Sequence, residues 1–146
     1  MNKHIAPLYG DQESSIEKIL NATDRKCLLM NDEQTPVGLL VFKTSPSNEY
    51  ANFKIINSLE IKTFVLINPE QQSRKGYGKN MLEKLLQLAS QDDKVESIHV
   101  CVSEQRIDSL NFFKKNNFEP VAKLWSKFRK NEDEILLQRR IKENRL

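Results

Sequence analysis

Two apolar runs, "KCLLMND" from Lys26 and "PVGLLVFKT" from Pro36, flank the short polar connection "EQT". Their length and the turn-forming residues between them predict a strand hairpin. Further on, "SLEIKTFVLI" (Ser58 to Ile67) alternates and then becomes continuously apolar, the pattern of a central strand covered on both faces. From Gly78 the period changes to that of a helix, with Met81, Leu82, Leu85, Leu86 and Leu88 forming its apolar stripe. "VESIHVCVS" alternates again, placing Ile98, Val100 and Val102 on one face and Ser97, His99 and Cys101 on the other. "RIDSLNFFKKNNF" is a second amphipathic helix, with Asn116-Asn117 as a left-handed stop. "EPVAKLWSKF" and "DEILLQRRI" close the chain as two strands around "RKNED". Ahead of all these, "HIAPLYG" reads as a strand and "DQESSIEKILNATD" as a helix capped by Asp11. The pattern leaves Ser45 to Asn57 undecided between an extension of the hairpin and a loop. The element order β, α, three β, α, β, α, β, β describes a mixed α/β sandwich and not a doubly wound sheet.

Length and composition narrow this further. At 146 residues, 38% hydrophobic and 29% charged, the chain reads as a single domain, 1–146, with one core. No apolar run reaches the roughly 20 residues of a spanning helix, and the start lacks a signal-peptide core, so a cytoplasmic location is expected. The two cysteines, Cys27 and Cys101, have no partner at ligand spacing, so neither a disulfide framework nor a metal site is expected. Both read as small strand hydrophobes. The formal charge of +3 is too small to imply nucleic acid, although Val121 to Leu146 carries eight Lys/Arg against four Asp/Glu.

The informative stretch is "SRKGYGKN", lying between the central strand and the first helix of the second half. Consecutive backbone N–H groups at a glycine-containing helix start form an anion nest. Gly76 and Gly78 let a phosphate approach without meeting a Cβ, and Arg74, Lys75 and Lys79 supply positive charge around it. No Walker A sequence is present and no third glycine completes a dinucleotide fingerprint.

The motif and the element order together resemble the GNAT acetyltransferase superfamily, whose second half carries [RQ]-x-x-G-x-[GA] and then N-x-x-A-x-x-[FL]-Y-x-x-x-G-F. The match is "GYG" at Gly76 to Gly78, with Ser73 where Arg or Gln is common. In the later motif Arg106 holds the Asn place, Ser109 the small place, Phe112-Phe113 the aromatic pair and Asn117-Phe118 the G-F pair. Element order carries the resemblance over nearly the whole chain, and the motifs carry it from Leu59 to Phe118.

The resemblance implies an α/β (α+β) fold: a mixed, mostly antiparallel sheet with two splayed central strands and helices on both faces. It also implies acetyl-CoA as co-substrate. The pantetheine arm would pair with the backbone of Val65, Leu66 and Ile67, and the pyrophosphate would sit on the amides of Arg74, Lys75, Gly76, Tyr77, Gly78 and Lys79. Ser109, Phe112 and Phe113 would flank the far side of the cofactor. Phe113 stands where many relatives place a tyrosine acid, so the thiolate is protonated by another group or by water, or Tyr50 or Tyr77 reaches in, or no transfer occurs. Glu60 and His99 are the two candidate bases, and Ser103 and Glu104 are candidates for the acceptor mouth. Phe112, Phe113, Phe118 and Trp125 read as core.

The expected activity is N-acetylation of a primary amine, on a protein or peptide sooner than on a small molecule, by direct attack and without a metal. A non-catalytic acyl-CoA-binding module is the alternative of a different class. An RNA-directed or aminoacyl-tRNA-directed acetyltransferase rests only on the basic region Lys123 to Arg145. The resemblance also implies a possible homodimer through the closing strands.

Overall fold

The computed structural model describes residues 24–33, 35–67, 76–129 and 132–141, with the side chains of Asp32 and of residues 126–129 excluded. The strand expected at His4 to Gly10, nearly all of the helix expected from Asp11 to Asp24, and Ser73, Arg74 and Lys75 lie outside them. The elements are β1 (Arg25–Asp32), β2 (Thr35–Lys43), a single 3-10 turn (Ala51–Phe53), β3 (Ser58–Leu66), α1 (Tyr77–Ser90), β4 (Ser97–Ser103), α2 (Ile107–Lys115), β5 (Glu119–Arg129) and β6 (Glu132–Arg140). From Arg25 onward this is the order expected from the sequence. The sheet order is β1-β2-β3-β4-β6-β5. Pairs β1–β2, β4–β6 and β5–β6 are antiparallel and β3–β4 is parallel, so the fold is mixed and mostly antiparallel. Among the described residues, no helix is long and apolar enough to cross a membrane.

The chain divides into two compact units, residues 1–45 with 62–85 and residues 46–61 with 86–146. In the first, the β1–β2 hairpin is in register from Arg25↔Lys43 to Met30↔Gly38, and a bulge then precedes its turn. Leu39, Val41 and Ile67 form a buried cluster, with Cys27 packed against it. Burial pushes the Cys27 thiol pKa up, which suits a packing role and not a reactive one.

Gly38 is needed for close approach. A Cβ there would lie 2.6 Å from the Met81 Sδ and 3.2 Å from the Leu66 Cδ2, and Met81 is itself buried. Gly38→Ala is therefore expected to lower stability by about 1–3 kcal/mol through overpacking, measured by thermal or urea unfolding. An unchanged midpoint would mean that Met81 swings aside freely.

In the second unit, Tyr50, Ile55 and Leu136 form a core, joined by Phe53, Cys101, Ala122 and Leu124. The segment left undecided by the sequence is a loop. It is tied to β3 by a bridge in which the Ser47 N–H donates to the Ser58 carbonyl (2.8 Å) and the Ser58 N–H donates to the Ser47 carbonyl (3.1 Å). Lys54 and Asn57 take left-handed backbone angles, φ 66° and 50°, to turn the chain back into the strand. Helix α2 stops as the asparagine pair predicts: Asn117 has φ 69°, and the Phe118 N–H returns to the Phe113 carbonyl at 3.0 Å.

Trp125 corrects the sequence reading. It was expected in the core but is 75% exposed. On β5, Ala122 and Leu124 pack into the core, so alternation turns Val121, Lys123 and Trp125 outward. The Lys123 ammonium sits 4.6 Å from the centre of the Trp125 ring and pairs with Glu104 (3.0 Å) and Asp133 (3.6 Å). Its hydrogen bond with Glu104 leads the causes that raise its pKa. These exposed pairs are worth little to stability.

Candidate functional site

The helix start after β3 has the local geometry of an anion cradle. Gly76 has φ +72°, which an L side chain adopts only under strain, and its carbonyl accepts the first helical bond, from the Asn80 N–H at 3.0 Å. The amides of Tyr77, Gly78 and Lys79 therefore form the first turn, where a helix has no acceptors of its own and its dipole favours negative charge. No acidic residue occupies that turn, and among the described residues nothing lies within 4 Å of a Cβ built on Gly76. Gly78 is buried and Lys79 exposed. These features fit a phosphate group.

Directly after β3, the Ile67 N–H donates to the Val37 carbonyl on β2 at 2.9 Å, and the Ile67 side chain lies in the first unit's core. Successive strand amides point to opposite sides. Within Val65 to Ile67, it is thus Leu66 whose N–H and carbonyl point away from β2.

The second unit gathers the two candidate bases. The parallel pairing runs from Ser58↔Ser97 to Ile61↔Val100, with Glu60 directly opposite His99, and β6 places Gln138 on the other side of His99. Glu60, His99 and Gln138 thus form one row across three strands, and all three are buried, His99 completely. A solvated polar face would not be. The row is embedded in hydrogen bonds: the His99 Nδ1 is 2.7 Å from the Ser58 Oγ, and the Gln138 Nε2 donates to the Ser97 Oγ at 3.1 Å.

Tyr50, from the loop, covers this row. Its ring meets the His99 imidazole edge-on, with centroids 5.4 Å apart, and its hydroxyl lies 3.6 Å from the Cys101 Sγ. Burial, then the neighbouring Cys101, and then the carboxylates of Glu49 and Glu60 push the phenol pKa up. Tyr50 therefore stays protonated across the physiological range.

The other candidates are placed less suggestively. Phe113 is buried between two edge-on partners, Phe112 at 5.3 Å and Phe118 at 5.2 Å, so it serves packing within its unit. Phe112 and Ser109 are half-buried. The Ser103 Oγ accepts the Gln105 N–H at 3.2 Å, and Glu104 is the partner of Lys123. Val65, Leu66 and Tyr77 are half-buried in the first unit. Among the described residues, no three His, Cys, Asp or Glu side chains are grouped as a metal ion would require.

Sequence reasoning named Glu60 and His99 but missed Ser58, Ser97 and Gln138. The available signal was polar residues at every second place of two otherwise apolar strands, Ser58 and Glu60 on one and Ser97, His99 and Cys101 on the other.

The sequence matches the model of the acetyltransferase (GNAT) family over residues 3–118. No curated protein sequence matches it. Solved structures share its fold at low identity. Arabidopsis thaliana NAA60, in complex with a bisubstrate analogue, is 15% identical, with 95% of this chain and 87% of that one covered and a TM-score of 0.76. An aminoglycoside 6'-N-acetyltransferase complexed with coenzyme A is 12% identical, with 96% and 88% covered and a TM-score of 0.71. A spermidine N-acetyltransferase SpeG chimera, from Vibrio cholerae and hSSAT, is 15% identical, with 97% and 87% covered and a TM-score of 0.68. At such identities the likeness concerns the fold.

Proposed function

Since this chain belongs to the GNAT acetyltransferase family, we propose that it is an N-acetyltransferase moving an acetyl group from acetyl-CoA to a primary amine on a protein or peptide. One observation carries the reading: a buried carboxylate and a buried imidazole lie side by side on the parallel strand pair, Glu60 opposite His99. Two of the neighbours are by name acetyltransferases for amines, an aminoglycoside and spermidine. The whole chain acts as one acetyltransferase domain in the cytoplasm.

Acetyl-CoA supplies the acyl group as a thioester, whose C–S bond breaks as the new N–C bond forms. The cradle at Gly76 to Lys79 would hold its pyrophosphate, together with Arg74 and Lys75, and the Leu66 backbone would pair with its pantetheine arm. An amine is protonated at neutral pH and must lose a proton before it can attack. Glu60 takes that proton, directly or through water, with His99 beside it as the second acceptor. Tyr50 packs its ring edge-on against His99. Its hydroxyl is engaged with the Cys101 Sγ at 3.6 Å, so in this reading the departing thiolate is protonated by solvent.

The reading is tested by thiol release from acetyl-CoA against peptides with free α-amines, lysine peptides, polyamines and aminoglycosides. Turnover is expected with a polypeptide amine, and Tyr50→Phe is expected to retain it within about threefold. A loss near the hundredfold of a general acid would instead make Tyr50 the thiolate's proton source. Phe113, buried and without a hydroxyl, favours a second reading, a non-catalytic acyl-CoA-binding module. Tight acetyl-CoA binding without thiol release on any amine would establish that reading and end the first.

A further inference from the structure

We propose that Tyr50 is a positioning residue whose ring, and not its hydroxyl, holds the orientation of the His99 imidazole; this rests on the reading of His99 as a proton acceptor. Tyr50 is anchored at both ends. Its carbonyl accepts the Phe53 N–H at 2.9 Å and the Ile55 N–H at 3.3 Å, which pins its backbone at the start of the 3-10 turn. Its side chain packs with Ile55 and Leu136 in the core of the second unit, and its hydroxyl lies 3.6 Å from the Cys101 Sγ. The loop that carries it is fastened to β3 by both backbone bonds between Ser47 and Ser58. A side chain so placed and 4% exposed has little freedom of its own.

This fixed ring meets the imidazole with centroids 5.4 Å apart and planes at 79°, the edge-to-face arrangement in which aromatic rings attract. The torsion that turns a histidine ring is broad, so the orientation of the imidazole is set by what packs against it and not by its own covalent geometry. Turning the His99 ring about that torsion either drives it into the Tyr50 ring or parts the two, and the contact therefore favours the observed orientation. The Ser58 Oγ meets the Nδ1 corner of the same ring at 2.7 Å, whichever of the two atoms donates. A proton acceptor works only while its lone pair is aimed within hydrogen-bond reach of the proton it takes. Tyr50 thus bears on turnover through the aim of His99, and a phenylalanine presents the same ring.

The test combines imidazole 1H–13C spectra of the full chain, assigned with His99→Gln, and steady-state kinetics for wild type, Tyr50→Phe, Tyr50→Leu and Phe118→Leu. The last makes the same aromatic-to-leucine change at another buried core position of the second unit, and so controls for lost packing alone. Wild type and Tyr50→Phe are expected to give one narrow set of His99 ring signals, and Tyr50→Leu a broadened or displaced set. With that change kcat should fall roughly 10- to 100-fold, as for a misplaced catalytic group, at unchanged KM for acetyl-CoA. Phe118→Leu should lower the unfolding midpoint and leave both the ring signals and kcat near wild type. The proposal is overturned by ring signals that Tyr50→Leu leaves unaltered, by a Tyr50→Phe as damaged as Tyr50→Leu, or by an equal loss of kcat in Phe118→Leu. A wild-type ring already exchanging between orientations overturns it without any variant. Altered ring signals at unchanged kcat uphold the hold of Tyr50 on the ring and remove His99 from the chemistry, so the two failures read differently.

Discussion

Glu60→Gln lowers kcat for amine acetylation by about 10²–10⁴-fold, the range of a lost general base, while acetyl-CoA affinity and the unfolding midpoint change little. Glutamine has the shape of glutamate, with one acceptor oxygen exchanged for an amide donor, so a residue 5% exposed in a packed row should tolerate it sterically. What it lacks is a site for the proton that an ammonium must give up. His99→Gln should cost a comparable factor, and the double variant should cost little more than either alone, because residues that act as one unit are not additive. The kinetics are to be read beside binding by calorimetry, so that a fall in kcat is separated from a fall in occupancy. A Glu60→Gln enzyme within threefold of wild type would make Glu60 a structural carboxylate and leave proton removal to solvent.

The second large effect belongs to the cradle. Replacing Gly76 and Gly78 together by alanine is expected to weaken acetyl-CoA binding by about 10²-fold or more, since each hydrogen bond to a charged group is worth about 1.5–3 kcal/mol and more than one amide is displaced. Gly76 contributes by conformation: at φ +72° an alanine is strained by roughly 1–2 kcal/mol, and relief of that strain turns the first-turn amides. Among the described residues, nothing lies within 4 Å of its Cβ position, so no clash with them accounts for the glycine. Gly76→Asn, a residue that tolerates the left-handed region, should keep the fold better than Gly76→Ala and so separates backbone angle from contact with the ligand. Titration calorimetry with acetyl-CoA reads both. Unchanged affinity in a folded double variant would mean that the glycines serve the turn alone, and the cofactor reading would then rest on the family only.

Much of the fold was legible along the chain because it is written in local periods. The hairpin Arg25 to Lys43, the strand from Ser58, the helix from Tyr77 and the stop at Asn117 each follow from neighbouring residues: two-residue alternation, a stripe at helical spacing, an asparagine that accepts a positive φ. The glycine pair was legible for the same reason, since a positive φ at a helix start is a local demand. Within α1, by contrast, Leu86 and Leu88 are only half-buried while Ala89 is buried. A stripe shows which face turns inward, but not how deeply each residue on it lies.

What the sequence could not carry is whether a polar face meets water. Ser97, His99 and Cys101 alternate as a solvated face would, and Trp125 looks like core by its size alone. The assembled sheet decides both: β3 and β6 flank β4, and Tyr50 from the loop lies against His99 on its polar side, whereas β5 turns Trp125 outward and reverses the core expectation. The bonds responsible, Ser58 with His99 and Tyr50 with Cys101, join residues 41 and 51 positions apart. The sequence by itself determined the elements, the glycine-capped helix start and the two candidate bases. The tertiary structure alone decided that those bases stand opposite one another in a buried row, because backbone periodicity is set by adjacent residues, whereas burial and side-chain partnership are set by strands that meet only when the sheet assembles.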